Sequence, residues 1–433
     1  MRLGNLLCIG LLFGVAGCGG SVGEIATTQN QQELKSAPAV KAAAGDWPWW
    51  RGPATNGHAS GKTPPTHWSE TKNVRWKSKV PGQGHATPSV WGNHVFVATA
   101  DAQNETMSVF AFDRATGSEL WNTPIHTAGF MHTHTTNSHA SATPACDGEH
   151  VFVANMVDGG IWVTALNFAG EQQWQTKVGP FSSTHGFGSS PLIYKSWVIV
   201  AGDNRGGSFL AALKRDDGEI AWRKRRPNGA SFCSPTMVTS GGRDQLLLSG
   251  HGRIHSYDPH TGELLWESEG PAKTTASTMV ADGERVYAGG GYPQQRLMAI
   301  RADGSGEIAW EHPYKVYVPS PIVLGDSLLA IQDNGVARLF DAESGKQRWS
   351  KRLRGSFSAS PIAAGGHVYL PNQAGTMFVF TAGKKFRQVA VNSLGDAGGM
   401  ASPVICRGQL FIRTRSWLYC IEESQPTGKV APK

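Results

Sequence analysis

The 433-residue chain carries 40 basic and 33 acidic side chains, a formal charge of +7, and only 17% of its residues are charged. So small an excess spread over so long a chain gives no reason to expect a nucleic-acid partner. With 40% apolar residues, 53 Gly and 24 Pro, the composition is that of a folded protein with many short turns, neither disordered nor fibrous.

At the start, Arg2 and the apolar run from Leu3 to Phe13 form the charged and apolar regions of an export signal, too short to span a bilayer as a mature helix. The run closes on Val15-Ala16-Gly17-Cys18, which resembles the lipobox of bacterial lipoproteins. That resemblance implies removal of residues 1–17, lipidation of Cys18 and attachment to a membrane from the periplasmic side. Gly19, standing where an Asp would signal inner-membrane retention, favours the outer membrane. Residues 18–45 hold no aromatic side chain and read as a disordered tether. Asp46-Trp47-Pro48-Trp49-Trp50-Arg51-Gly52-Pro53 then opens a Trp-rich lead-in over 46–69, expected to pack on one face of the folded domain.

From residue 70 to 423 one unit recurs: a Ser/Thr-Pro step opening an apolar strand, a Gly turn, then a Trp. The openings are Thr87-Pro88, Thr143-Pro144, Ser190-Pro191, Ser234-Pro235, Ser277-Thr278, Ser320-Pro321, Ser360-Pro361 and Ser402-Pro403, spaced 56, 47, 44, 43, 43, 40 and 42 residues apart. Trp76, Trp121, Trp174, Trp222, Trp266, Trp310 and Trp349 fall between them, with Phe386 in an eighth slot. A period of this length built from four short strands predicts an all-β, eight-bladed β-propeller. Small residues at each opening suit strands crowded around an axis, and Pro is tolerated at the first residue of a strand. The last repeat ends at its third strand, Trp417 to Ile421, while Asn73-Val74-Arg75-Trp76-Lys77 precedes every anchor. The N-terminal strand is therefore expected to complete the last blade and close the ring, removing a free edge. The basic runs Arg223–Arg226 and Lys351–Arg354 read as solvated outer strands, and residues 424–433 as a disordered tail.

The turn motif Asp113-Arg-Ala-Thr116-Gly117-Ser-Glu119-Leu-Trp121 returns as Asp258…Thr261-Gly262-Glu263…Trp266 and Asp341…Ser344-Gly345…Trp349. It resembles the tryptophan-docking motif of PQQ-like, or quinoprotein-type, β-propeller repeats. Those repeats build both quinoprotein alcohol dehydrogenases and BamB-like outer-membrane assembly lipoproteins. The resemblance implies that each Trp packs between neighbouring blades. It favours a lipid-anchored scaffold that binds other envelope proteins, with a PQQ- and calcium-dependent oxidoreductase as the alternative. That alternative needs a catalytic Asp, calcium ligands and usually a vicinal Cys pair. The chain has no adjacent cysteines and no Cys-x-x-Cys-His haem motif, so no catalytic residue and no cofactor is assigned.

One loop departs from the repeat. Between Trp121 and Pro144 lie His126, His132, His134 and His139, and His85 and His185 hold the corresponding region of adjacent repeats. Imidazoles suit zinc, copper or nickel, which makes His132, His134 and His139 candidate metal ligands; a polar loop bonding across the pore mouth is the alternative. Asp203-Asn204-Arg205, Asp333-Asn334 and Asn372-Gln373 sit in hairpins on the same face, where Asn, Asp and Gly also serve the turns. Of Cys146, Cys233, Cys406 and Cys420, the last two share a repeat, leaving a disulfide between them open.

Overall fold

The computed structural model describes residues 38–424, apart from 397 and 399. The export signal, the lipidation candidate Cys18, most of the tether and the tail from 425 lie outside the described residues. Within the stretch read as tether, Val40 is partly buried against the cluster around Trp49.

Every named strand belongs to one of eight four-stranded antiparallel sheets. Blades 1 to 7 span residues 89–126, 145–180, 192–225, 236–269, 280–312, 322–352 and 362–392. Blade 8 joins three strands from 404–421 to Val74–Lys79, which pairs antiparallel with Trp417–Ile421. The N-terminal strand thus closes the ring. In seven blades the innermost strand is two or three residues long, as crowding at the axis demands. The second strands are almost wholly buried, while several outer ones, such as those of blades 4, 5 and 8, set buried residues between exposed ones. There is no single core. Apolar clusters lie between adjacent sheets instead, as where Leu329 and Leu339 of blade 6 meet Val368 and Phe380 of blade 7.

The repeat tryptophans lock each blade to the next. Gly117, Gly170, Gly218, Gly262 and Gly345, each at positive φ in a third-to-fourth-strand turn, lie so close beneath Trp76, Trp121, Trp174, Trp222 and Trp310 that an added Cβ would come within 2.4–2.6 Å of the indole. The indole N–H groups of Trp76, Trp121, Trp174, Trp310 and Trp349 donate to backbone carbonyls in the third-to-fourth-strand turn of the next blade at 2.8–3.0 Å. Trp266 donates instead to Gln245 Oε1 of its own blade at 2.6 Å.

Register corrects the eighth slot. A bulge precedes the docking position in every outer strand, and the residue across from it is Ala111, Ala165, Ala212, Ser256, Ala299, Leu339 or Cys420 where a Trp docks. In blade 7 the equivalent pair is Val379 with Ala390; Phe386 lies four residues earlier, against Trp349 and Phe380. The reason is topological. Blade 8 takes its fourth strand from the other end of the chain, so it has no turn on which a blade 7 Trp could dock. Trp68 of the lead-in packs in that same cluster with Ala390, Met377 and Ile412, its backbone N–H on Asn392 Oδ1 at 3.1 Å.

The basic runs are likewise not uniformly solvated. Leu353 is buried, and Arg226 is wholly buried in a two-pronged pair with Asp203 at 2.8 and 3.0 Å. Cys406 and Cys420 remain separate buried thiols, and burial pushes Cys406 up to about 12.

The Trp–Gly contact gives a paired test. Gly218→Ala must both hold a positive φ and displace Trp174, whereas Gly366→Ala meets nothing within 4 Å and bears the φ strain alone. The latter should cost about 1–2 kcal/mol. The former should lose several kcal/mol, approaching the ~3–5 kcal/mol of Trp174→Ala, as read from urea unfolding midpoints.

Candidate functional site

The lead-in crosses the end of the propeller where first and second strands meet, and it touches seven blades. Trp47 exchanges backbone hydrogen bonds with Val90 at 3.0 and 2.8 Å, and Cys146 N–H donates to Pro48 O at 2.9 Å. Thr236 Oγ1 donates to Thr55 Oγ1 at 3.1 Å, His58 Nε2–H to Val323 O at 2.6 Å, and Ala59 N–H to Ala363 O at 2.9 Å. Asp46 pairs with Arg407 at 2.8 Å. Arg51, fully buried, donates to Pro361 O and Pro321 O at 3.2 and 2.7 Å, and burial without a carboxylate holds it down to about 9. Trp50 reaches the axis, where its indole N–H donates to Thr278 Oγ1 at 2.8 Å.

Above Trp50 opens an axial cavity of about 600 Å³. Its wall is the ring of repeat anchors, joined by a belt of hydrogen bonds. The backbone N–H of Thr87 donates to Thr143 Oγ1, Thr143 to Ser190, Ser190 to Ser234, Thr278 to Ser320, Ser320 to Ser360 and Ser360 to Ser402, at 2.8–3.2 Å. Sequence reasoning accounted for these residues by size alone and missed the belt. The signal was present, because Ser or Thr stands at every opening where Ala or Gly would be equally small. A hydroxyl that accepts its neighbour's N–H still has a proton to donate, and five of these six line the cavity.

The loops leading into the blades and the second-to-third-strand hairpins form the mouth. Asn137, His85, His185, Phe232, Tyr317, Asp333, Asn334 and Gln373 face the cavity. Asp203, Asn204 and Asn372 do not. Asp203 is held below the usual carboxylate range: burial alone would raise it, but the Arg226 charge and His251 at 3.1 Å prevail. Asn204 and Asn372 bond the backbone of their own hairpins.

The histidine loop does not assemble a metal centre. His134 stacks on His185 with centroids 5.2 Å apart, His139 stacks on Phe130 at 4.2 Å, and His126 sits edge-on to Trp162. Among the described residues no group of three His, Cys, Asp or Glu is arranged to hold a metal ion, so His132, His134 and His139 do not converge. Their proximity along the chain is dissolved by different neighbours. The loop bonds across the mouth instead, Asn137 Nδ2 donating to His185 O at 2.7 Å. The lining does not fit PQQ with calcium either. Among the described residues Asp333 is its sole carboxylate and no Lys or Arg lines it, whereas an acidic quinone needs cations and calcium needs several oxygen ligands, carboxylates among them.

Fold and cavity together define a PQQ-type propeller with a blind axial cup lined by hydroxyls and a single carboxylate. The sequence profile described as "Outer membrane protein assembly factor BamB" matches residues 59–122, 105–339 and 325–388. The chain belongs to the BamB family. It is 24% identical to outer membrane protein assembly factor BamB of Yersinia pestis over 348 residues, covering 77% of this chain and 82% of the relative. The crystal structure of BamB from Moraxella catarrhalis is similar in fold, with a TM-score of 0.60 at 15% identity over 80% of this chain and 98% of that one. The quinohemoprotein alcohol dehydrogenase of Comamonas testosteroni shares the fold too, with a TM-score of 0.66 at 13% identity over 92% of this chain and 84% of that one.

The hydroxyl belt and the buried histidines can each be probed by one substitution. Ser360→Ala strips the acceptor from the buried Ser320 N–H and should cost about 1–3 kcal/mol, visible as a lower urea midpoint at unchanged slope. The histidines respond to acid. Burial and the Arg226 charge lower His255 from 6.5 to about 3, and burial with Arg413 lowers His85 to about 4. Unfolded, both take up protons near the ordinary value; folded, they stay neutral. Stability is therefore complete above pH 6.5 and declines below it, by up to about 1.4 kcal/mol per pH unit for each imidazole. His255→Gln should flatten that slope in denaturation curves taken across the range.

Proposed function

We propose that this protein is a lipid-anchored scaffold of outer-membrane protein assembly, holding other envelope proteins at the periplasmic side of the outer membrane. The observation that carries this reading is the family match across 59–388, which runs from the end of the lead-in through the first seven blades. No inserted segment in that span brings together an acid, a base and a metal site. A rigid ring with broad rims is suited to docking rather than to chemistry, since the same fold serves both and function must be argued from the site. Cys18 supplies the anchor, placing the ring on the membrane without a spanning segment.

In-cell crosslinking followed by mass spectrometry should capture components of outer-membrane barrel assembly. Recovery of none of them, or a bound quinone with alcohol-dependent dye reduction in protein purified with PQQ and calcium, overturns the scaffold reading. Cys18→Ala should shift the protein from the membrane to the soluble periplasmic fraction; a variant still in the membrane removes the anchor from the proposal.

A further inference from the structure

Two of the residues that line the axial cavity carry a buried polar atom with no hydrogen-bond partner. Thr87 Oγ1 belongs to a residue only 2% exposed and has no hydrogen-bond partner. Asp333 Oδ2 is buried and also unpartnered, the nearest cation being Lys315 Nζ at 3.8 Å; burial raises its carboxyl above the usual range. Buried polar atoms are normally satisfied, and those that are not call for a reason. The first can donate and accept, while the second accepts. Around them the belt hydroxyls of Thr143, Ser190, Ser234, Ser360 and Ser402 hold protons to donate, and Asn334 and Gln373 add amides.

Beside this polar wall stands an aromatic one. Phe232 and Tyr317 line the cavity, Tyr317 lies against Gly291, and Tyr292 next to it projects with 66% exposure. Among the described residues no Lys or Arg lines the cavity, and the nearby Lys315 is already engaged by Asp333, so phosphate, nucleotide and uronic-acid ligands would bring charge with no free cation on the lining to pair it. An alkyl chain would strip water from a ring of hydroxyls and a carboxylate without replacing it, which is costly.

We propose that the axial cavity is a binding site for the end of a neutral oligosaccharide, whose hydroxyls bond Asp333 and the anchor ring while its C–H faces pack on Phe232 and Tyr317. Vicinal hydroxyls are the common chemical group that both donates and accepts at adjacent atoms, which this wall requires. The volume of about 600 Å³ lies within the range of small-ligand sites and has one mouth, so a longer glycan enters by its end. The site binds and does not hydrolyse, because glycoside cleavage in its usual form needs two carboxylates and Asp333 is alone. This proposal is independent of the scaffold reading.

The test is an array of neutral and uronic-acid di- to tetrasaccharides probed with the full chain, the best ligand being carried to calorimetry. Neutral saccharides should bind, and both Asp333→Asn, which keeps the side chain's shape, and Tyr317→Ala should weaken binding about tenfold or more, with Tyr317→Phe close to wild type. Thermal melts taken beside each titration separate lost binding from lost fold. No saturable binding of any neutral saccharide overturns the proposal. So does preference for uronic acids, occupation of the cavity by a neutral tripeptide, or undiminished affinity in Asp333→Asn.

Discussion

The backbone N–H at the opening of each blade is the constraint on which the ring depends. It lies at the axis, out of reach of its own sheet, and in every blade but the fifth the Pro after it offers no donor to extend the ladder inward. An N–H buried there without an acceptor would cost about 1–3 kcal/mol at every link. At six of the eight junctions a hydroxyl from the next blade's opening satisfies it, so Ser and Thr at the openings settle both strand spacing and channel radius. The outer ring of Trp–Gly contacts does the corresponding work at the periphery. Blades are thus pinned at two radii, which resists both sliding and splaying.

A ring closed by strands from opposite chain ends carries a built-in defect, because one blade lacks the turn that its neighbour's tryptophan requires. This chain meets the defect with sequence from outside the repeat. Ala390 occupies the docking position, and Trp68 fills the adjacent layer between blades 7 and 8. The rest of the same segment spans the opposite end of the channel, from Val90 to Arg407. A channel that would otherwise run through the disc becomes a cup floored by Trp50. The lead-in is therefore part of the propeller's architecture, closing the circle and the bore together.

Much of this was legible from residues in order. Eight anchors, recurring Thr-Gly turns and an unpaired first Trp imply eight blades and a closing N-terminal strand, because both patterns are local and periodic. The features that escaped depend on partners in another blade. Phe386 stands a few residues past a Gly, as the tryptophans do, and only the bulge in the sheet shows that it is out of register. Arg226 ends a run of four basic residues, yet Asp203 across its blade and Tyr257 of the next one bury it. The histidines of the long loop are adjacent in sequence, but stacking on Phe130 and His185 turns them apart. Thr87 and Asp333, 246 positions apart in the chain, become neighbours of one cavity only after closure.

Blind depth changes what the cavity can do. In a through-channel, water reaches a ligand from both ends, and hydroxyls on the wall contribute little beyond what solvent already offers. With Trp50 and the lead-in across one end, water at the bottom is replaced rather than merely displaced when something enters. Hydrogen bonds made there are worth more, and mismatched polar groups cost more, than the same groups would at a rim. The recognition available to this propeller is therefore divided by physics. Its broad outer surface tolerates varied contacts and suits large partners, while its axis rewards only a ligand whose own hydrogen bonds replace, atom by atom, the water it removes.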